Sequence, residues 1–164
     1  MTKLIAGASK FDSNNNDWET TQSLFDILNN EFQFTIDLAA SQKNAKVKKY
    51  YSKDDDALKQ DWIGICWLNP PFGEKGGNQL KYFVKKANLE YCRHGSTIVL
   101  LIPARTNTNW WREYCTEAKE IRFITGRPNF VGCKHGLMQP LAIVIFAPHI
   151  GETIVRYQEW RHTT

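Results

Sequence analysis

Apolar positions along the chain switch between a helical and a strand period. Leu24, Phe25, Ile27 and Leu28 fall where they bury one face of a helix, with Thr20 or Thr21 placed to cap it. Phe32-Gln33-Phe34-Thr35-Ile36 alternates like a strand, and Val47 to Tyr51 offers a second short one. Ile63 to Leu68 and Ser96 to Ile102 are runs apolar enough for buried strands. Between them, Leu80, Phe83, Val84 and Ala87 recur at helical spacing, with Lys81, Lys85 and Lys86 on other positions of the same helix. Trp111, Tyr114, Cys115 and Ala118 mark a further helix face that Thr108 can cap. Ile121 to Ile124 and Leu141 to Ala147 complete the strong strands, and the tail with Tyr157 and Trp160 predicts a short edge strand. Strands alternating with helices predict an α/β fold, a largely parallel sheet covered on both faces.

The connections divide the chain simply. Residues 1–16 end in Asn14-Asn15-Asn16 and are expected as a flexible arm, with one domain over 17–164. The glycine-rich stretch Gly73 to Gln79 and the polar stretch Arg127 to Gln139 are expected as loops. A hydrophobic content of 42% and a charged content of 23% suit a folded globular protein. Net charge is +4, compatible with nucleic acid without demanding it. No two of Cys66, Cys92, Cys115 and Cys133 stand at C-x-x-C spacing, so neither a zinc ribbon nor a redox pair is indicated. Cys66 and Cys115 read as small core residues. No apolar run approaches membrane length and no signal peptide is evident; the expectation is a reduced, cytoplasmic protein.

The chemistry concentrates at Asn69-Pro70-Pro71-Phe72. Two prolines end the strand ladder, because neither donates an N–H and each restricts the residue before it. An amide, carbonyls without competing N–H groups and a flat ring are thereby expected at the carboxyl end of a strand, where open α/β sheets bind ligands. The Asn69 amide oxygen and the Pro70 carbonyl suit both hydrogens of an exocyclic NH2, and Phe72 suits stacking on its base. Asp37, at the end of another strand, precedes Leu38-Ala39-Ala40-Ser41, whose small residues admit close approach to the backbone. Thr20 and Thr21 before a helix offer a seat for a carboxylate. The lysines from Lys43 to Lys49 read as a solvated loop. Asp54-Asp55-Asp56 lacks the spacing and glycine of a calcium loop, and no metal is expected.

Taken in order, these stretches resemble the phage DNA N-6-adenine methyltransferases, a Dam-like group of small enzymes. The carriers are Asp17-Trp18-x-Thr20, Ile36 through Ser41, Tyr50-Tyr51 through Asp56-Ala57-Leu58 to Trp62, Trp67-Leu68-Asn69-Pro70-Pro71-Phe72, Pro103-Ala104-Arg105-Thr106-x-Thr108-x-Trp110, and Gly126-Arg127 with Phe130. The resemblance implies the Rossmann-like S-adenosylmethionine-dependent methyltransferase fold, a mostly parallel seven-stranded sheet in which the last hairpin breaks parallel order. It implies S-adenosylmethionine as cofactor, held by Trp18, Thr20, Asp37, Ala39, Ala40, Ser41, Asp56 and Asn69. Asp54 and Asp55 stand as alternatives to Asp56. Asn69, Pro70, Pro71 and Phe72 would be catalytic.

The implied partner is double-stranded DNA with a flipped adenine, in a bacterial host cell, from a phage or prophage. Neither metal nor membrane is implied, and 17–164 leaves no room for a separate target-recognition domain. Arg105, Thr106 and Arg127 would contact DNA from loops. Two departures from the family stand out: Thr20-Thr21 replaces the usual Thr-Pro, and Phe72 replaces Tyr; the cofactor loop also lacks the glycines of larger methyltransferases. Phe72 keeps the stacking face and loses a hydroxyl. RNA adenine or a protein glutamine amide presents the same planar NH2, and a non-catalytic DNA-binding prophage remnant is the remaining alternative.

Overall fold

The computed structural model describes residues 19–72, 74–128, 130–131 and 138–160, with backbone alone over 74–78. The first helix, α1 (Gln22–Phe32), buries Leu24, Phe25 and Leu28 as the spacing predicts. It closes at Gln33, in the left-handed region at φ 58°, whose N–H donates to the Asn29 carbonyl at 2.9 Å. Its side-chain amide adds bonds to the Asn29 and Asn30 carbonyls. Phe32 therefore ends a helix and does not open a strand. The expected strand over 32–36 contracts to β1 (Ile36–Asp37).

β2 (Ile65–Leu68) also starts later than its apolar run. Gly64 before it sits at φ 100°, and a Cβ there would lie 2.8 Å from Thr35 Oγ1. That hydroxyl bonds the backbone of Ile65, which sets the register of β1 against β2. Val47 to Tyr51 forms only an isolated bridge, Tyr50 to Asp37, on the outer side of β1. The Lys46 N–H is drawn to the Asp37 side chain, so the segment reaches β1 too late to build a ladder.

Next come α2 (Glu74–His94), β3 (Thr97–Pro103), α3 (Asn109–Tyr114), β4 (Glu120–Ile124), β5 (Leu141–Phe146) and β6 (Ile154–Gln158). The stretch 74–79, expected as a loop, is the first part of α2. Once Leu80, Val84 and Ala87 are buried, each residue added to that helix gains a hydrogen bond, and this carries it through two glycines. Thr108 caps α3, its Oγ1 accepting from the Trp111 N–H at 3.3 Å.

The described residues form six strands where seven were expected, in the order β1-β2-β3-β5-β4-β6. Only β5 opposes the others, pairing antiparallel with β3 and β4, so the sheet is mostly parallel. β6 is the predicted edge strand, parallel to β4. Along β3, Ile98, Leu100 and Ile102 face the layer of α2 and α3, while Val99 and Leu101 face the layer of α1. Helices thus cover both faces. Cys66 and Cys115 are buried in the core, as expected; Cys133 lies outside the described residues. Among the described residues, no helix is long and apolar enough to cross a membrane.

Candidate active site

The chain leaves β1 at Asp37, crosses outward to Tyr50, and returns to the other side of β1 as β2. The carboxyl ends of β1 and β2 therefore flank a point where the strand order reverses, the location at which open α/β sheets form ligand crevices. Asp37 pairs with Trp67, which puts Asn69 just past the end of the same ladder. At the next strand, β3 ends at Pro103 and delivers Arg105.

Asp37 is 3% exposed and spends its carboxylate on its own loop. One oxygen accepts from the Ala39 N–H at 3.2 Å, the other from the Lys46 N–H at 3.1 Å. Burial pushes its pKa above the usual carboxylate value, against the pull of those two amides and the Lys46 charge. Leu38 anchors the turn in the core, leaving Ala39 and Ala40 half-buried and Ser41 exposed. The Ser41 N–H and hydroxyl both donate to Asn44 Oδ1, at 2.6 and 2.9 Å. Asn44 is a second organiser of the turn; only its type, a residue that bonds local backbone, marked it in the sequence.

Thr20 is 2% exposed, and its hydroxyl has no hydrogen-bond partner among the described residues. It stands directly before α1. Thr21 holds the N-cap position there without a side-chain cap bond, and no acid lies in the first turn. The Glu19 side chain pairs with Lys46 Nζ at 3.1 Å, and its carbonyl accepts from the Val131 N–H at 3.1 Å. These contacts hold the start of α1 against the Asp37 loop and against the segment after β4. Trp18 lies outside the described residues.

After β2, Pro70 is buried and Asn69 and Pro71 are half-buried, with the Asn69 amide oxygen out of contact with solvent. Phe72 is 4% exposed and packs edge-on against Phe130, centroids 6.1 Å apart at 78°. Its ring is turned into the α1-side core. Arg105 donates to the Phe72 carbonyl at 3.4 Å, joining the loops after β2 and β3. Thr106, past the end of β3, and Arg127, past the end of β4, are exposed, and β5 lies between those two strands.

The acidic turn separates by environment. Asp55 accepts from the Ser52 N–H and hydroxyl, at 2.7 and 2.6 Å, which holds its pKa below the usual carboxylate range. Asp56, left-handed at φ 50°, pairs with Lys59 at 2.9 Å and is held low by that ammonium. Asp54 is exposed. The stretch from Ala57 to Trp62 is a structural clamp, with Trp62 Nε1 donating to the Ala57 carbonyl at 2.8 Å.

The carboxyl ends of β1 and β2 thus carry Asp37, Ala39, Ala40 and Asn69-Pro70-Pro71 side by side, with Thr20 next to Glu19, which is tied to the Asp37 loop through Lys46, and Arg105 joined to the Phe72 carbonyl. Asp56 stands on the neighbouring turn.

Two kinds of comparison bear on this crevice. Residues 7–146 match the family described as DNA N-6-adenine-methyltransferase (Dam). The DNA N-6-adenine-methyltransferase of Haemophilus phage HP1 (strain HP1c1) is 31% identical over 140 residues, 80% of this chain and 78% of that protein. The protein of the same name from Escherichia phage T1 is 34% identical over 110 residues, 65% of this chain and 44% of its own length.

Proposed function

Because this chain belongs to the DNA N-6-adenine-methyltransferase (Dam) family, and so is a DNA adenine N6-methyltransferase, we propose that its methyl donor is S-adenosylmethionine, held at the carboxyl ends of β1 and β2. The sheet is then the Rossmann-like methyltransferase sheet, with the Asp37–Tyr50 bridge marking its seventh strand.

Thr20 carries the reading. A buried hydroxyl without a partner is costly unless something binds there. It stands at the start of an 11-residue helix with neither an acid in its first turn nor a side-chain cap, so the positive end of the helix is open to an anion. A carboxylate fits, and the methionine part of the cofactor carries one. Trp18 and Ser41 flank that seat in sequence and in the adjoining turn. Asp37 acts by shaping: its bonds to Ala39 and Lys46 fix a turn whose small side chains let a ligand lie against the backbone. Asp56, kept ionised by Lys59, accepts from the amino group of the cofactor's adenine.

When bound, S-adenosylmethionine supplies a methyl group made electrophilic by a sulfonium. The residues here act on the acceptor. The lone pair of adenine N6 is delocalised into the ring. Accepting its two hydrogens at the Asn69 amide oxygen and the Pro70 carbonyl favours a tetrahedral nitrogen with a localised pair. Positioning of this kind is worth up to about 7–11 kcal/mol. The nitrogen turns acidic on alkylation and releases its proton to water, so no strong base is required beforehand. Reaching the site from a duplex requires base flipping, at a few kcal/mol. Stacking on Phe72 is worth about 1–3 kcal/mol, and the ring gives up its contact with Phe130 to provide it, a loss of similar size. Arg105, Thr106 and Arg127 meet the DNA at the rim.

The test is product identification. Purified protein is incubated with labelled S-adenosylmethionine and unmethylated duplex, and the DNA is digested to nucleosides. Labelled N6-methyladenine is the expected product; label confined to RNA or protein in parallel incubations overturns the reading.

A further inference from the structure

Between Ser41 and Tyr50 the chain carries four lysines and no acid. Lys46 alone among them has a described carboxylate partner, Glu19. Lys43, Lys48 and Lys49 are exposed, with no carboxylate within salt-bridge distance among the described residues. Lys46, Lys48 and Lys49 line an open groove of about 750 Å³ whose other walls include Phe34, Val47 and Tyr50.

The lysines ride on a fixed scaffold. Asn44 closes the turn at Ser41, the Lys46 N–H is held by the Asp37 carboxylate, and the Lys49 carbonyl accepts from the Asp37 N–H at 2.9 Å. The same buried acid that shapes the proposed cofactor turn therefore sets the backbone that carries the positive charge.

We propose that Lys43, Lys48 and Lys49 bind the sugar-phosphate backbone of the DNA substrate beside the flipped adenine. The inference rests on the reading of DNA methylation given above. The sign of the charge selects the ligand. S-adenosylmethionine carries a sulfonium and an ammonium against one carboxylate, so this groove repels it, whereas a phosphate diester is anionic. The register sets the separation. Tyr50 pairs with β1 and β1 with β2, so Lys49 lies two strand spacings, about 10 Å, across the sheet from β2 and, level with Cys66, about 10 Å back along it from Asn69. The two offsets combine to about 14 Å, within the roughly 1,000–2,500 Å² of protein surface that a specific DNA complex buries.

Neutralised phosphates leave a signature in salt. Each such contact contributes about 0.9 to the slope of log affinity against log salt. The experiment measures binding of a labelled, unmethylated duplex by fluorescence anisotropy from 50 to 200 mM salt. Wild type is compared with the triple variant Lys43→Ala, Lys48→Ala and Lys49→Ala, and with the same three positions changed to Arg. The alanine variant is expected to flatten the slope by about 2.7, so that its affinity falls roughly 40-fold less than wild type across that range. The arginine variant keeps the slope, and S-adenosylmethionine affinity by calorimetry stays within about twofold in both. An alanine variant with the wild-type slope overturns the inference while wild-type methylation of the duplex stands. A parallel loss of S-adenosylmethionine affinity also overturns it, because the loop then acts through the Asp37 turn. Wild type that neither binds nor methylates the duplex removes the functional reading and this inference together.

Discussion

At the amino end of β2, Glu90 is 1% exposed and its carboxylate is fully used. One oxygen takes Lys86 Nζ at 2.8 Å, with Arg93 at 3.5 Å; the other accepts from the Trp62 N–H at 2.8 Å, with His94 Nε2 at 3.5 Å. Burial alone would raise its pKa, but Lys86, the Trp62 amide and His94 outweigh burial and hold it below the usual range. The carboxyl end of the same sheet is the reverse. Asp37 also has two amide donors, yet burial wins and its pKa is raised. Thr20 lies as deep, and its hydroxyl has no partner among the described residues. Buried polarity at one end is satisfied by the protein itself; at the other it is held at a cost, which a ligand can offset. The first arrangement stabilises the fold and the second prepares it for chemistry.

Substitutions at the two ends should separate activity from stability. The largest effect is expected at Asn69→Ala, which removes a hydrogen-bond acceptor from the reacting nitrogen. Losing one such group costs about 10²–10³-fold in turnover. S-adenosylmethionine affinity by calorimetry should fall far less than turnover, and the urea midpoint should stay near wild type. Near-normal transfer in the labelled-methyl assay rules out the mechanism. At the other end, Glu90→Ala strands Lys86 and the Trp62 N–H. It should destabilise the fold by roughly 3 kcal/mol in urea unfolding, the lower range for breaking a buried pair, and leave kcat of the folded fraction unchanged. A loss of kcat without a loss of stability would erase the distinction between the two ends.

The same contrast separates what was legible in the sequence. The helix faces of α1 and α2 and the apolar run of β3 are local patterns, and they stand in the structure; the face expected from Trp111 to Ala118 passes from α3 into a 3₁₀ turn at Cys115. Asn69-Pro70-Pro71 was legible for a local reason too, since two prolines stop a ladder wherever they fall. What depends on partners far along the chain was not. The shortening of β1 comes from Thr35 bonding Ile65, thirty residues on, together with a local cap, Gln33 on Asn29, that the alternation of 32–36 hid. The single bridge at Tyr50, where a strand was expected, follows from Asp37 capturing the Lys46 amide. The inward ring of Phe72 is set by Phe130, and Arg105 touches the motif through the Phe72 carbonyl, a contact no spacing announces. Glu90 is marked by no sequence pattern; its role follows from Trp62 and Lys86 closing around it.

A smaller effect, at Thr20→Val, probes the orphan hydroxyl directly. The change keeps the shape and removes the oxygen. Without ligand, the protein should gain about 1 kcal/mol of stability, because an unsatisfied buried group is gone. S-adenosylmethionine should bind about tenfold more weakly, the equivalent of one hydrogen bond of about 1.4 kcal/mol. Thermal melts with and without S-adenosylmethionine read both quantities on one sample. A variant that is less stable without ligand, with unchanged affinity, would make Thr20 an ordinary structural residue.

The effect smallest in size, and the most telling in sign, is the pH dependence of the two buried acids. Glu90 has a folded pKa below its ordinary value of 4.5. Its stabilisation is fully present above that value and is lost as pH falls through the lower folded pKa. Asp37 has a folded pKa above its ordinary value of 3.8. Its contribution is fully present below 3.8 and is lost as pH rises through the higher folded pKa, because the buried carboxylate is then ionised at a desolvation cost. Melting temperatures of wild type, Glu90→Gln and Asp37→Asn between pH 3 and 6.5 test this. With rising pH, the advantage of wild type over Glu90→Gln should grow, and its advantage over Asp37→Asn should shrink. Each variant also shifts stability by an amount independent of pH, so the slope of the difference carries the result. Two slopes of the same sign would mean that the acids at the two ends of the sheet are held in the same way, and the division between a satisfied end and a costly one would fail.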